Sequence, residues 1–131
     1  MPRDVIAVAI GGAIGAIGRY LLGLALPTES GHFPWATFII NVAGGLAIGV
    51  LIVLLTELFQ AHPLARPFLV TGILGGFTTF STYTVDTEKL IAAHAIGTAF
   101  GYLVGTLIAA LAATWAGLAL TRAIGGRLVT R

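Results

Sequence analysis

"GILGGFTTFSTYT" (72–84) sits inside an apolar stretch that runs from about residue 67 to 92 without a charge between Arg66 and Asp86. Gly72, Gly75 and Gly76, followed by Thr78 and Thr79, place several poor helix formers close together. A water-exposed loop would carry charge here, so the segment reads as a membrane-crossing helix broken near its middle. Backbone groups freed by such a break are tolerated at membrane depth only when buried in protein or lining a wet cavity. Two readings stand side by side. The break is a kink whose loose ends the hydroxyls cap, or it serves an ion, since unwound carbonyls coordinate cations and helix N-termini attract anions.

The rest of the chain supports the membrane reading. Of 131 residues, 57% are hydrophobic and 9% charged, with a mean hydropathy of +1.00; soluble domains carry about 25% charged residues. A spanning helix needs roughly 20 mostly apolar residues, and four such stretches lie at about 5–26, 35–59, 67–92 and 96–121. "PTESGHFP" (27–34) and "QAHPLARP" (60–67) punctuate them with proline and polar residues, and "EKLIAAH" (88–94) is a weaker break. The first stretch is too long and glycine-rich for a cleaved signal peptide. The expectation is an all-α membrane protein with one transmembrane domain over 1–131. Cysteine is absent, which excludes disulfides and thiolate sites. The net charge of +2 comes from scattered basic residues, which argues against nucleic acid as a partner. Four spans put both termini on one side, with Arg3, Arg66, Arg122, Arg127 and Arg131 against Lys89 and Arg19, and the positive-inside rule favours cytoplasmic termini.

Two spans carry stripes at i, i+4 spacing, which places each stripe on one helix face. The second span shows Thr37, Asn41, Gly45 and Gly49; the fourth shows Thr98, Tyr102, Thr106, Ala110 and Thr114, beside Gly97, Gly101 and Gly105. The glycine row reads most simply as helix packing. Asn41 cannot satisfy its amide on a lipid face, so it serves either as glue between helices or as part of a polar path. Phe77, Phe80 and Tyr83 recur every three residues beside Ser81 and Thr82. Aromatic edges are electropositive, so rings and hydroxyls together suit a small anion, and conduction needs sites weak enough to release it. The plainer alternative is that the rings pack.

"GGAIGAIGRY" (11–20), "TFIINVAGGLAIG" (37–49) and "GILGGFTTFSTYT" (72–84) closely resemble the three motif blocks of the Fluc/CrcB fluoride channels, and length and span number match over nearly the whole chain. The resemblance implies an antiparallel, dual-topology homodimer in the bilayer with two fluoride pathways. It implies a central structural Na⁺ held by backbone carbonyls of Gly75 and Thr78 from each subunit, an ion that is not cargo. Asn41, Phe80, Ser81, Thr82, Tyr102 and Thr106 match pore residues, and Arg19 matches the arginine near the pore entrance or else snorkels at a helix end. Tyr83 stands where the second ring is usually phenylalanine, so its added hydroxyl either donates to the anion or narrows the path. Ala110 stands where some relatives have serine, so the hydroxyl track ends at Thr106 or resumes at Thr114. An antiparallel dimer of identical chains expects balanced basic residues, whereas this sequence has a mild excess on the side of its termini.

The function so implied is a passive, fluoride-selective channel, multi-pass in the cell (inner) membrane, that exports F⁻ from the cytoplasm. A small four-helix proton-coupled antiporter is the alternative. Such carriers need a titratable carboxylate at membrane depth, and Asp4, Glu29, Glu57, Asp86 and Glu88 all fall at or near the expected span ends. A packing subunit leaves the aromatic–hydroxyl cluster idle. An enzyme is not expected, because His32, His62 and His94 lie in separate connections and form no nucleophile–base pair.

Overall fold

The computed structural model describes residues 2–129; Met1, Thr130 and Arg131 lie outside the described residues. Helix α1 spans Pro2–Ala25, and α2 spans Trp35–Val53 and continues in wider π-type turns over Leu54–Leu58. Helix α3 is π-type over Pro67–Leu74 and α-helical over Gly75–Phe77; α4 is Ser81–Ala92 and α5 is Ile96–Val129. Four stretches among the described residues are long and apolar enough to cross a membrane: Pro2–Ala25, Trp35–Leu58, Pro67–Ala92 and Ile96–Arg127. The chain is a multi-pass, all-helical membrane protein.

Local chemistry explains the boundaries. Pro67 opens α3, where its missing N–H costs nothing. In the connection before α2, Gly31 takes a φ of +80°, a conformation glycine adopts without penalty. The turn between α4 and α5 is tighter than its composition suggests. His94 adopts φ 60°, its N–H bonds the Ile91 carbonyl at 3.0 Å, and the Ala95 N–H bonds the Leu90 carbonyl at 2.9 Å. This is a Schellman closure with histidine at the position glycine usually takes.

Two close crossings hold the bundle. Helix α1 lies on α3: a Cβ at Gly15 would overlap the Ile73 carbonyl oxygen, and one at Gly76 would overlap the Gly12 carbonyl. Helix α2 lies on α5, where Gly49 meets the Thr114 backbone and Gly117 meets that of Leu46. Small residues permit these contacts where lipid offers no hydrophobic drive for helix association. Tyr83, Leu90, Ala99 and Tyr102 form a buried cluster with Phe33, Phe38 and Ala95 against it. At the far end of the α2–α5 pair, Arg122 grips Glu57 through Nη2 at 2.8 Å and Nε at 3.1 Å. Gly97, Gly101 and Gly105, expected to form a helix-packing row, have nothing among the described residues within 4 Å of where their Cβ atoms would be, so any helix that packs on this face of α5 comes from outside them.

Candidate functional site

Helical geometry lapses between α3 and α4. Thr78 is extended, at φ −77° and ψ 155°. Its N–H and its hydroxyl both bond the Leu74 carbonyl at 2.9 Å, which closes the end of α3. The Thr79 hydroxyl accepts from the Thr82 N–H at 3.1 Å and lies 3.3 Å from Ser81 Oγ. The backbone of Thr79 is met by α2: its N–H donates to Asn41 Oδ1 and its carbonyl accepts from Asn41 Nδ2, each at 2.9 Å. Successive threonines suit such a site because short hydroxyl side chains satisfy nearby backbone groups outside a helix.

Two cavities share this segment. One of about 280 Å³ is lined by Asn41, Thr78, Thr79, Phe80, Tyr83 and Thr106, among others, and no charged side chain lines it. The other, about 350 Å³, is lined by Arg19, Thr37, Thr79 and Thr82, so Thr79 belongs to both. Among the described residues Arg19 has no ion pair or hydrogen bond, which leaves its charge directed at the second cavity. Among the described residues the buried Thr106 hydroxyl has no hydrogen-bond partner, a costly condition for a polar group.

The two rings behave oppositely. Phe80 is 79% exposed and Tyr83 only 9%, with ring centroids 5.8 Å apart. The Tyr83 hydroxyl donates to the Leu103 carbonyl on α5, so its proton is already committed within the chain. The Tyr83 and Tyr102 rings lie 5.3 Å apart. Farther along α5, the Thr114 hydroxyl bonds back to the Ala110 carbonyl at 3.0 Å, the ordinary habit of a helical threonine. Ser81 and Thr82 are exposed at the start of α4.

Asp86 is the residue that sequence reasoning passes over. Its position near a span end groups it with the other carboxylates, yet it is half-buried on α4. It accepts from Thr37 at 2.7 Å and from Tyr102 at 3.2 Å, joining α2, α4 and α5. Tyr102 is fully buried, and its proton points to this carboxylate. The sequence holds one signal of this: Asp86 follows Tyr83 by three residues, which places both on one face of α4.

Among the described residues no group of His, Cys, Asp or Glu is arranged to hold a metal. What the segment offers a cation is neutral oxygen. Gly75 is exposed and has no side chain to block its backbone, and the ψ of Thr78 turns its carbonyl away from the helical direction. Unwound carbonyls can coordinate cations; of these two residues Thr78 is extended and Gly75, at φ −61° and ψ −38°, keeps helical dihedrals.

Comparison with known proteins agrees with this architecture. Residues 6–118 match the family described as CrcB-like protein, Camphor Resistance (CrcB). The fluoride-specific ion channel FluC 2 of Nocardia farcinica is 52% identical over 111 residues, covering 85% of this chain and 79% of the relative. FluC 1 of Streptomyces coelicolor is 51% identical over 111 residues, covering 85% and 72%. The fluoride-specific ion channel FluC of Rhodospirillum centenum is 44% identical over 121 residues, covering 92% and 96%. These relatives are named as channels, not as enzymes. With the family match spanning most of its length and such relatives aligned to most of theirs, the chain belongs to the CrcB family.

Proposed function

We propose that the chain is a passive, fluoride-selective channel that exports F⁻ across the cell (inner) membrane. One observation carries the reading. The uncharged cavity brings together the Phe80 ring, the Asn41 amide and the buried, unpartnered Thr106 hydroxyl. Fluoride is small and strongly hydrated, so a pore must replace its water with closely spaced donors. Asn41 gives one amide hydrogen to Thr79 and keeps the other, Thr106 has a free hydroxyl, and the ring edge of Phe80 is electropositive. The absence of a fixed cation among the cavity's lining residues favours release. Arg19 attracts the anion in the adjoining cavity, which Thr82 also lines, and Ser81 and Thr82 open α4, where partial positive charge collects. Tyr102, which matches the pore track in sequence, donates its proton to Asp86 and would reach the anion as a donor only by releasing that bond.

The same reading takes the whole chain, 1–131, as one transmembrane unit that pairs with a second copy in antiparallel, dual-topology fashion, with two pathways per dimer. The exposure of Phe80 and Gly75 and the uncovered glycine face of α5 support that pairing. The lapse at Thr78–Phe80 then serves as the break of the third span. Carbonyls of Gly75 and Thr78 from both copies would hold a structural Na⁺, whose charge would offset their dipoles. Export needs no energy coupling, because hydrogen fluoride enters neutral and an inside-negative potential expels the anion with about 2.3 kcal/mol per 100 mV.

Proteoliposomes containing the purified chain are expected to lose F⁻ rapidly and Cl⁻ negligibly; equal rates for both ions would end the selectivity reading. Half-buried Asp86 is the one feature that favours the proton-coupled antiporter instead. A pH-sensitive dye in the same vesicles separates the two, since the channel moves no protons in exchange and an antiporter acidifies or alkalises the lumen with each turnover. Tyr83→Phe provides a further check. The hydroxyl donates its proton to the Leu103 carbonyl and so has none to offer an anion; the variant is therefore expected to lose about 1 kcal/mol of stability while selective F⁻ flux stays within about twofold of wild type. A collapse of flux would put the hydroxyl on the path.

A further inference from the structure

We propose that Asn41 is a positioning residue whose side chain selects the interrupted conformation at Thr78–Phe80. In a continuous helix the N–H and C=O of one residue point in opposite directions along the axis, so one short side chain cannot reach both. Asn41 reaches both groups of Thr79, each at 2.9 Å, from 38 positions away on α2. A carboxamide carries its donor and acceptor side by side, as a strand neighbour presents them. The double bond therefore forms only when Thr79 has left helical geometry, and its formation favours that departure.

The consequence reaches both neighbours of Thr79. On one side is Thr78, extended and closing α3; on the other is Phe80, whose ring is directed outward. Nothing else in the α2 stripe substitutes for Asn41. Thr37 is bonded to Asp86, and Gly45 and Gly49 have no side chain. Asn41 also lines the uncharged cavity and has one amide hydrogen beyond that given to Thr79, so the residue that shapes the segment also borders the path. Its bearing on conduction rests on the channel reading above; the clamp itself does not.

The test uses the full-length protein in lipid nanodiscs and reads site-resolved amide exchange and carbonyl ¹³C shifts in wild type, Asn41→Leu, Asn41→Asp and Thr106→Val. Asn41→Leu should speed exchange of the Thr79 N–H by about tenfold, the effect of losing one hydrogen bond. It should also shift the Thr79 carbonyl resonance. Asn41→Asp keeps the acceptor and loses the donor, so exchange stays near wild type while the carbonyl still shifts. Thr106→Val, which removes a cavity hydroxyl and leaves the clamp intact, should change neither. Wild-type exchange and shift at Thr79 in Asn41→Leu would overturn the proposal. If that variant does not fold, an unmoved Thr79 carbonyl in Asn41→Asp would do the same. Because these readouts need no conduction, wild-type vesicles that hold their F⁻ would sink the channel reading and leave the Asn41 clamp standing.

Discussion

Phe80→Ile is expected to fold and insert like wild type yet conduct fluoride at least about tenfold more slowly, the result of raising the barrier by about 1.4 kcal/mol. Isoleucine preserves apolar bulk but has no electropositive ring edge. Phe80 is 79% exposed and its ring meets that of Tyr83 at a centroid distance of 5.8 Å, so its replacement disturbs little packing within the chain. That separation makes the experiment decisive. Fluoride efflux from vesicles, with the variant's thermal stability measured alongside, distinguishes a conducting ring from a packing ring. Wild-type flux from a stable Phe80→Ile protein would reduce the ring to surface filler and remove one of the three uncharged groups on which the proposed function depends.

Gly15→Val is expected to have the larger structural effect, abolishing the folded protein or leaving it too unstable to purify as a single species. A Cβ at Gly15 overlaps the Ile73 carbonyl oxygen and lies 2.8 Å from the Phe77 amide nitrogen. Both are backbone atoms, so no flexible side chain moves aside to relieve the clash. Overpacking a close interface costs about 1–3 kcal/mol, occasionally more, and here α1 must separate from α3 just before the Thr78–Phe80 segment. Gly23→Ala on the same helix is the control, since nothing lies within 4 Å of its Cβ position. Elution profile and melting temperature in mild detergent report the outcome. A monodisperse Gly15→Val protein melting like wild type would show that the α1–α3 crossing is dispensable.

The contrast between particular residues shows how much can be read in advance. The i, i+4 stripe of Thr37, Asn41, Gly45 and Gly49 identifies a helix face but not its neighbour. In the structure that face divides among Asp86, Thr79 and the backbone of α5. Gly97, Gly101 and Gly105 have the same spacing and meet nothing within the chain. Spacing is identical in the two rows, and packing is not. Tyr83 poses the same problem at the level of one atom. Its hydroxyl is legible as a departure from the commoner phenylalanine, whereas its partner, the Leu103 carbonyl, lies on a helix reached only after the turn at His94.

By itself the sequence determined the solvent, the helical class and the four spans, because hydrophobic run length and glycine, proline and threonine propensities act over a few consecutive residues. Tertiary structure decided the rest. It decided that Asn41 holds Thr79, that Asp86 accepts hydrogen bonds from Thr37 and Tyr102, and that Thr106 is left without a partner among the described residues. These are pairings between groups far apart in the chain, and a hydrogen bond exists only where packing brings donor and acceptor within reach.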